Sequence, residues 1–440
     1  MKINAKGLTA LLVAIGFIFT CLNVYGEGLS IKPYRPSLTP MLSKHFIKHF
    51  GTSYHDQSSA VAIDDDGNVH IAGNVVSGSV GSTTVTPLYL VIWSGGRITR
   101  AELSEFDTLG TKTVTDVASD NEGNIFLAAN GPETTRVEGG RRVYLHSGAI
   151  IQYNPESSRV ANTIVLENSS VEEMKIDKLN RCLYVAGRTQ NITMTGIKED
   201  VSYIAKYNLV NLERVWTKIF SNQPILRIFS TTGDYEIKAL AVDDAGNLFA
   251  GGKFKPSGGS TSFFLAKINP ANGNMDKHIF FAGEGVLDAI NDITANNRGE
   301  ILAVGATSGY VGPEGGSNAG YTDMFAMKFD NDLHGQIWSW QGGGTNLDSF
   351  HSVRVDRDDN VFAVGGLGGG DEIYKFDTNG MLLRNIAVAG ESGVLNSLTL
   401  DSSGNIYAVG YTSGTIGGEI ASSGGSDIFM MKFNNNLTRY

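Results

Sequence analysis

The sequence predicts an all-β chain: a seven-bladed β-propeller of four-stranded antiparallel blades, its ring closed by an N-terminal strand that completes the last blade. Three observations predict it. One hairpin unit recurs seven times along the chain. A second hairpin follows each copy. The last unit is one strand short, while a strand-like segment is left over ahead of the first.

The N-terminal residues stand apart. Lys2 and Lys6 precede an apolar stretch over residues 8–22, and Val24-Tyr25-Gly26 supplies small residues at a cleavage site. Residues 1–26 are read as a secretory signal peptide, shorter than the ~20 apolar residues of a bilayer span. Ile18-Phe19-Thr20 lacks the small residue usual before a lipidated cysteine, so Cys21 is not read as a lipid anchor. Residues 27–42, with Pro33, Pro36 and Pro40, form a short extended lead-in, and residues 43–440 form the propeller. No later segment is long and apolar enough to span a membrane.

Cleavage leaves one cysteine, Cys182, which makes an internal disulfide impossible. Packing alone must hold an exported chain together. The formal charge of −10 falls to −12 without Lys2 and Lys6. An acidic chain repels phosphate backbones, so nucleic acid is excluded as an expected partner.

The repeat explains itself physically. The copies read SAVAIDDDGNVHIAG (59–73), DVASDNEGNIFLAA (116–129), EMKIDKLNRCLYVAG (173–187), ALAVDDAGNLFAGG (239–252), DITANNRGEILAVG (292–305), SVRVDRDDNVFAVGG (352–366) and SLTLDSSGNIYAVG (397–410). Each begins with an alternating apolar strand. A turn of Asp, Asn and Gly follows, residues that accept positive φ. A β-branched or aromatic strand then ends in small residues. Third strands are expected at FFLAKIN (263–269), DMFAMKFD (323–330), DEIYKFD (371–377) and DIFMMKFN (427–434), with weaker copies at 203–208, 150–154 and 88–94. Fourth strands are expected at 213–220, 336–340 and 382–388. The chain stops after its last third strand, and KHFIKHF (44–50) is assigned as the missing fourth strand of the last blade.

The run DMFAMKFDNDLHGQIWSWQGG from Asp323, followed by SVRVDRDDNVFAVGG, resembles the bacterial seven-bladed β-propeller repeat known as the SBBP repeat, as does Tyr411-Thr412-Ser413-Gly414. The resemblance covers all seven units and is strongest in the fourth to seventh. It implies export and a propeller, and it transfers no catalytic residue.

Function is sought in two places. The loops joining second to third strands vary most, at 75–87, 131–147, 188–201, 309–321 and 412–426, with 222–235 beside them. Variable loops on a rigid scaffold are where recognition usually resides. The candidate binding residues there are Arg136, Arg141, Tyr144, Arg227, Tyr235, Tyr310 and Tyr321. The expected activity is non-enzymatic binding of a protein or glycan, without cofactor. The alternative places a metal at the tunnel mouth, held by Asp116, Glu173 and Asp292 near His351 and Arg354, for hydrolysis or elimination. A self-associating structural unit is a third reading.

Other signals are read as structural. Asp64 to Asn68 opens like a calcium loop, but Val75 stands where a bidentate Glu is needed. His45 and His49 are expected on an exposed strand, and Cys182 as a small buried residue. Trp216, Trp338 and Trp340 recur on fourth strands and are read as packing between blades. No nucleophile elbow, phosphate loop or paired-Cys motif appears.

Overall fold

A computed structural model describes residues 47–50, 55–79, 82–94, 97–101, 113–131, 134–138, 141–145, 147–192, 198–220, 233–256, 259–281, 287–311, 318–367, 370–388, 393–416, 420–421 and 425–438. The expected signal peptide and lead-in lie outside them, as does Arg227.

The chain is an all-β propeller. Its repeat folds into seven four-stranded sheets in which every neighbouring pair is antiparallel. Each sheet begins with the strand that opens a repeat: His55–Ile63, Thr113–Ser119, Glu173–Asp177, Gly233–Val242, Ala289–Ala295, Asp348–Val355 and Gly393–Leu400. These seven opening strands touch one another in succession, and the last of them touches the first. In the last sheet, Ile47–Phe50 pairs with Asp427–Phe433, with His49 opposite Phe429.

Core formation follows from strand alternation. The sheets bury their faces against one another in seven apolar clusters, each shared by two sheets. The cluster of Val61, Val69, Ile71, Tyr407, Val409 and Met430 joins the first sheet to the last. Each such aliphatic or aromatic side chain contributes roughly 1.5–3 kcal/mol on burial. Cys182 is buried in one of these clusters.

The hairpin turns are fixed by side chains of the repeat itself. Asp64 Oδ1 accepts the N–H groups of Asp66 and Asn68 at 3.0 and 2.8 Å, and Oδ2 accepts Asn68 Nδ2 at 2.7 Å. The same lock closes at Asp120, Asp243, Asp356 and Asp401. In the fifth sheet the acid and amide exchange places: Asn296 Oδ1 accepts the N–H of Glu300, and Asn296 Nδ2 donates to Glu300 Oε2 at 2.7 Å. The carboxylate oxygens are consumed within the turn, which accounts for the sequence without calcium.

Six of the seven opening strands, all but Glu173–Asp177, also carry an extra residue. The register shifts at Ser59, Thr115, Lys238, Asn291, His351 and Asn396, each skipped between two paired neighbours. Such bulges re-aim a side chain. Opposite the bulge the second strand must come close, and a small residue stands there: Gly305 has the carbonyl oxygen of Ala289 only 1.9 Å from where a Cβ would be. This is the physical reason for the small residues that end each second strand.

Two expectations about loops are corrected. Residues 75–87 and 188–201 were expected as loops, but the hairpins continue through them as Val69–Ser79 with Ser82–Ser94 and as Cys182–Ile192 with Lys198–Asn208. The β-branched residues of STTVT (82–86) favour extended ladder pairing over a loop. Residues 134–145 form a separate two-stranded hairpin, Thr134–Glu138 with Arg141–Leu145.

Candidate functional site

The middle of the molecule is built from the bulged residues outward. Ser59 Oγ donates to the Val114 carbonyl at 2.7 Å, Thr115 Oγ1 to Val171 at 3.0 Å, and Asn291 Nδ2 to Phe350 at 2.9 Å. His351 Nδ1 lies 2.8 Å from the Leu395 carbonyl, which makes Nδ1 the protonated nitrogen. Each bond leaves one sheet and ends on the opening strand of the next or, at Val171, two residues ahead of it. The matching N–H groups are taken as well: Val114 N by Asn74, Val171 N by Asn130, Ile237 N by Ser202 and Leu395 N by Asp371. Sheet-to-sheet bonds thus satisfy backbone groups that the bulges free.

Asp116 and Asp292 occupy the position after the bulge and act alike. Asp116 accepts Val117 N–H at 2.8 Å and, across the sheet boundary, Met174 N–H at 2.7 Å. Asp292 accepts Ile293 N–H at 2.8 Å and then Ser352 Oγ, Val353 N–H and Arg354 Nη1 from the next sheet at 2.9, 2.9 and 2.8 Å. Glu173 meets Lys175 Nζ at 2.5 Å. Glu173 feels the charges of Asp116 and Asp292, and Lys175 and Arg354 stand among these acids. Burial raises the Asp116 carboxyl above its ordinary range and pushes Glu173 up to about 8, against the pull of Lys175. Glu173 in turn holds Lys175 charged in spite of burial. Among the described residues no group of three or more His, Cys, Asp and Glu side chains is arranged to hold a metal ion. Three acidic side chains are thus interleaved with two cations, and both oxygens of Asp116 and of Asp292 already accept hydrogen bonds.

A second set of clamps runs outside the first. Third-strand lysines cross to the next sheet: Lys206 Nζ to the Pro270 carbonyl at 3.0 Å, Lys267 to Asn331 at 3.1 Å, and Lys375 to Asn435 at 2.8 Å. Lys328, 1% exposed, reaches Asp359 at 2.6 Å and Glu300 at 2.7 Å. Trp216 Nε1 donates to Pro270 at 3.2 Å and Trp338 Nε1 to Thr378 at 3.1 Å. Trp340 packs on Phe350, Tyr374 and Phe376 of the neighbouring sheet. The reading of these tryptophans as packing agrees with these contacts.

The edge that carries the second-to-third connections is different. Tyr321 is 72% exposed and Leu347 63%, and they lie on adjoining backbone segments because Thr322 bridges Leu347 and exchanges hydrogen bonds with Asp348. Tyr310 is 37% exposed and Leu287 49%; Leu287 N–H donates to Ser308 Oγ at 3.2 Å, two residues before Tyr310. Four large apolar side chains therefore project from one edge of the fifth and sixth sheets. Leu287 and Leu347 were missed in the sequence because each is a lone apolar residue in a polar connection.

The other sequence candidates are placed as follows. Tyr235 is corrected: it lies on Gly233–Val242, is 2% exposed, and packs against Phe254 and Phe264 at 5.0 Å between ring centroids. Burial pushes its hydroxyl up to about 12. Arg136, Arg141 and Tyr144 lie on the Thr134–Glu138 and Arg141–Leu145 hairpin, where Glu138 pairs with Arg141 and Thr135 with Tyr144. Their side chains and Arg227 lie outside the described residues.

Beside Leu287 the same edge holds a cavity of about 310 Å³ lined by Arg188, Asp234, Glu236, Lys253, Lys255 and Thr261, with Tyr235 in its wall. Asp234 faces Lys255 and Glu236 faces Lys253 across the strand pair. On the opposite edge, a hollow of about 370 Å³ is bounded by the turn residues Asp356, Asp358, Asp401 and Asn435. Asp356 and Asp401 there already serve their own turns.

No family model matches this chain, and no curated protein matches it. Solved structures do. The chain is similar to the β-propeller domain of Myceliophteria thermophila Cps50 (Swd1), with 14% identity and a TM-score of 0.50 over 87% of this chain and 98% of that one. It is also similar to the WD40 repeats of RRP9, at 14% identity and a TM-score of 0.51 over 87% of this chain and 96% of that one. A chain of the mitotic checkpoint complex matches at 11% identity and a TM-score of 0.50 over 92% of this chain and 98% of that one. At these identities the likeness is one of fold: an all-β propeller of four-stranded antiparallel sheets.

Proposed function

We propose that this chain is a secreted, seven-bladed propeller of SBBP type that binds a protein or glycan without catalysis, through the edge carrying Leu287, Tyr310, Tyr321 and Leu347. Residues 1–26 direct export, and residues 43–440 form the ring, closed by the N-terminal strand. The ring reading draws on the seven sheets, on the pairing of Ile47–Phe50 with Asp427–Phe433, and on the cluster shared by first and last sheets. The repeat type draws on the recurring third-strand lysine and the Asp-Asn turn.

One observation carries the binding reading: Leu287, Tyr310, Tyr321 and Leu347 stand exposed together on the edge of two adjacent sheets, whereas the other exposed apolar residues, such as Val165, Val215 and Ile337, are spread over fourth strands and turns, and the middle of the molecule is spent on sheet-to-sheet bonds. Aromatic and aliphatic anchors left in water on a rigid scaffold mark interaction surfaces. The mitotic checkpoint complex offers a precedent for a propeller within an assembly.

The test uses arrays of purified surface proteins and defined polysaccharides probed with the wild-type chain and with Tyr321→Ser combined with Leu347→Ser. The reading expects at least one partner whose binding the double variant reduces tenfold or more. Partners that bind both chains equally would refute it.

A further inference from the structure

We propose that the cavity lined by Arg188, Asp234, Glu236, Lys253 and Lys255 takes an acidic sugar, a carboxylate-bearing hexose of the uronate kind. This rests on the reading of the same edge as a binding surface and names the ligand chemistry of one part of it.

The cavity lies where the third, fourth and fifth sheets meet at that edge. Arg188 comes from Cys182–Ile192, the two acids from Gly233–Val242, the two lysines from Leu248–Pro256, and Leu287 from just ahead of Ala289–Ala295. A volume of about 310 Å³ is at the small end of ligand cavities. It suits one or two sugar rings better than a folded partner.

The polar lining is unlike the charged networks elsewhere in the molecule. Lys328 and Arg354 meet their carboxylates at 2.6–2.8 Å. Here Glu236 Oε1 stands 3.6 Å from Lys253 Nζ and 3.4 Å from Lys238 Nζ, and these pairs do not form hydrogen bonds. Lys255 and Asp234 are Cα partners, yet no ion pair joins them among the described residues. Arg188 is held more tightly, by Asp200 at 2.7 Å from Nε and 2.9 Å from Nη2. Two ammonium groups and two carboxylates thus line one cavity, with Glu236 and Lys253 joined only by a loose ion pair at 3.6 Å that a ligand can exchange.

That combination selects its ligand. A carboxylate forms charge-assisted hydrogen bonds with the Lys253 and Lys255 ammonium groups. Ring hydroxyls donate to Asp234 and Glu236. The apolar face of a ring lies on Leu287, half exposed at the rim. A neutral sugar leaves the lysines without an anion. An acidic peptide brings further carboxylates against Asp234 and Glu236, and like charges at close range repel. A net charge of −10 gives no general attraction for anions, so selectivity must come from these residues.

The experiment is calorimetric titration of the full chain with a galacturonic-acid trimer, a galactose trimer and hexaglutamate, in low and in 0.5 M salt. The acidic trimer is expected to bind saturably, the other two at least tenfold more weakly, with affinity falling as salt rises. Lys253→Gln with Lys255→Gln is expected to weaken the acidic trimer at least tenfold, with an unchanged melting temperature. Asp234→Asn with Glu236→Gln is expected to narrow the preference for the trimer over hexaglutamate. No saturable binding of the acidic trimer, equal binding of hexaglutamate, or indifference to the lysine variant each overturns the proposal. If the array partner is lost with Tyr321→Ser and Leu347→Ser while the trimer ignores the lysines, the cavity assignment fails and the edge reading stands. If the trimer needs the lysines while array binding ignores the edge variant, the reverse holds.

Discussion

Changing Asp292 to Ala isolates what the central carboxylates do. The side chain accepts Ile293 N–H, Val353 N–H, Ser352 Oγ and Arg354 Nη1, all within 2.9 Å. Its loss orphans two buried backbone donors at about 1–3 kcal/mol each. It also strips Arg354 of its nearest anion. Breaking a buried pair costs about 3–5 kcal/mol, but the Arg354 side chain keeps 24% exposure and remains near Glu173, so only a fraction of that applies. The expected loss is about 4 kcal/mol, a large share of the ~5–15 kcal/mol that a folded protein has. Asp292→Asn keeps one acceptor oxygen and loses the charge, so its expected cost is about half as great. Urea unfolding followed by tryptophan fluorescence reads the loss, with and without EDTA, and EDTA should change neither curve. An Ala variant within 1 kcal/mol of wild type would refute the clamp. A wild-type chain that EDTA destabilises to the level of the variant would return Asp292 to the role of metal ligand.

Further outcomes follow from the same structure. Glu173 has its carboxyl raised from 4.5 to about 8 by burial, so its ionisation opposes folding: the wild type gives up stability as pH rises from about 4.5 to 8 and no more beyond. Melting curves of Glu173→Gln should therefore gain on wild type across that window, and a constant difference would contradict the shift. Lys328→Met removes the buried one of the two cations that Glu300 and Asp359 share, leaving the exposed Arg298 between them, and a loss of about 1.5–3 kcal/mol is expected in chemical denaturation. Trp338→Phe keeps the ring packing but removes the bond to the Thr378 carbonyl, for an expected loss of about 1 kcal/mol by the same measurement. Gly305→Ala forces its Cβ into the Ala289 carbonyl at 1.9 Å, and about 1–3 kcal/mol should be lost in thermal unfolding.

The parts of the fold legible in sequence are those fixed by local chemistry. The Asp-Asn turn makes its bonds within five residues, so Asp64 and Asn68 announce the hairpin by themselves. Strand alternation did the same for most strands. It also held the signal for Tyr235, whose neighbours two apart, Gly233 and Ile237, are buried with it; assignment to a loop overlooked that period. Bulges were not legible, because one inserted residue such as Thr115 breaks the alternation without any marker residue. The clamps were half legible. The third-strand lysine recurs visibly, but Pro270, its partner from Lys206, lies on the next sheet 64 residues away. The same distance hides the central network: Asp116, Glu173, Asp292 and Arg354 come from four sheets, and only folding reveals that cations interleave the acids. The exposed edge depends on Leu287 and Leu347, single apolar residues whose meaning comes from their neighbours in space.

The most direct test of the account is chemical footprinting of lysine and tyrosine on the wild-type chain, alone and saturated with a partner found on the arrays. Protection at Tyr321, Tyr310, Lys253 and Lys255, with Lys178 in the opposite-edge turn still reactive, is the expected result. Protection at Lys178 with Tyr321 left reactive would contradict the account.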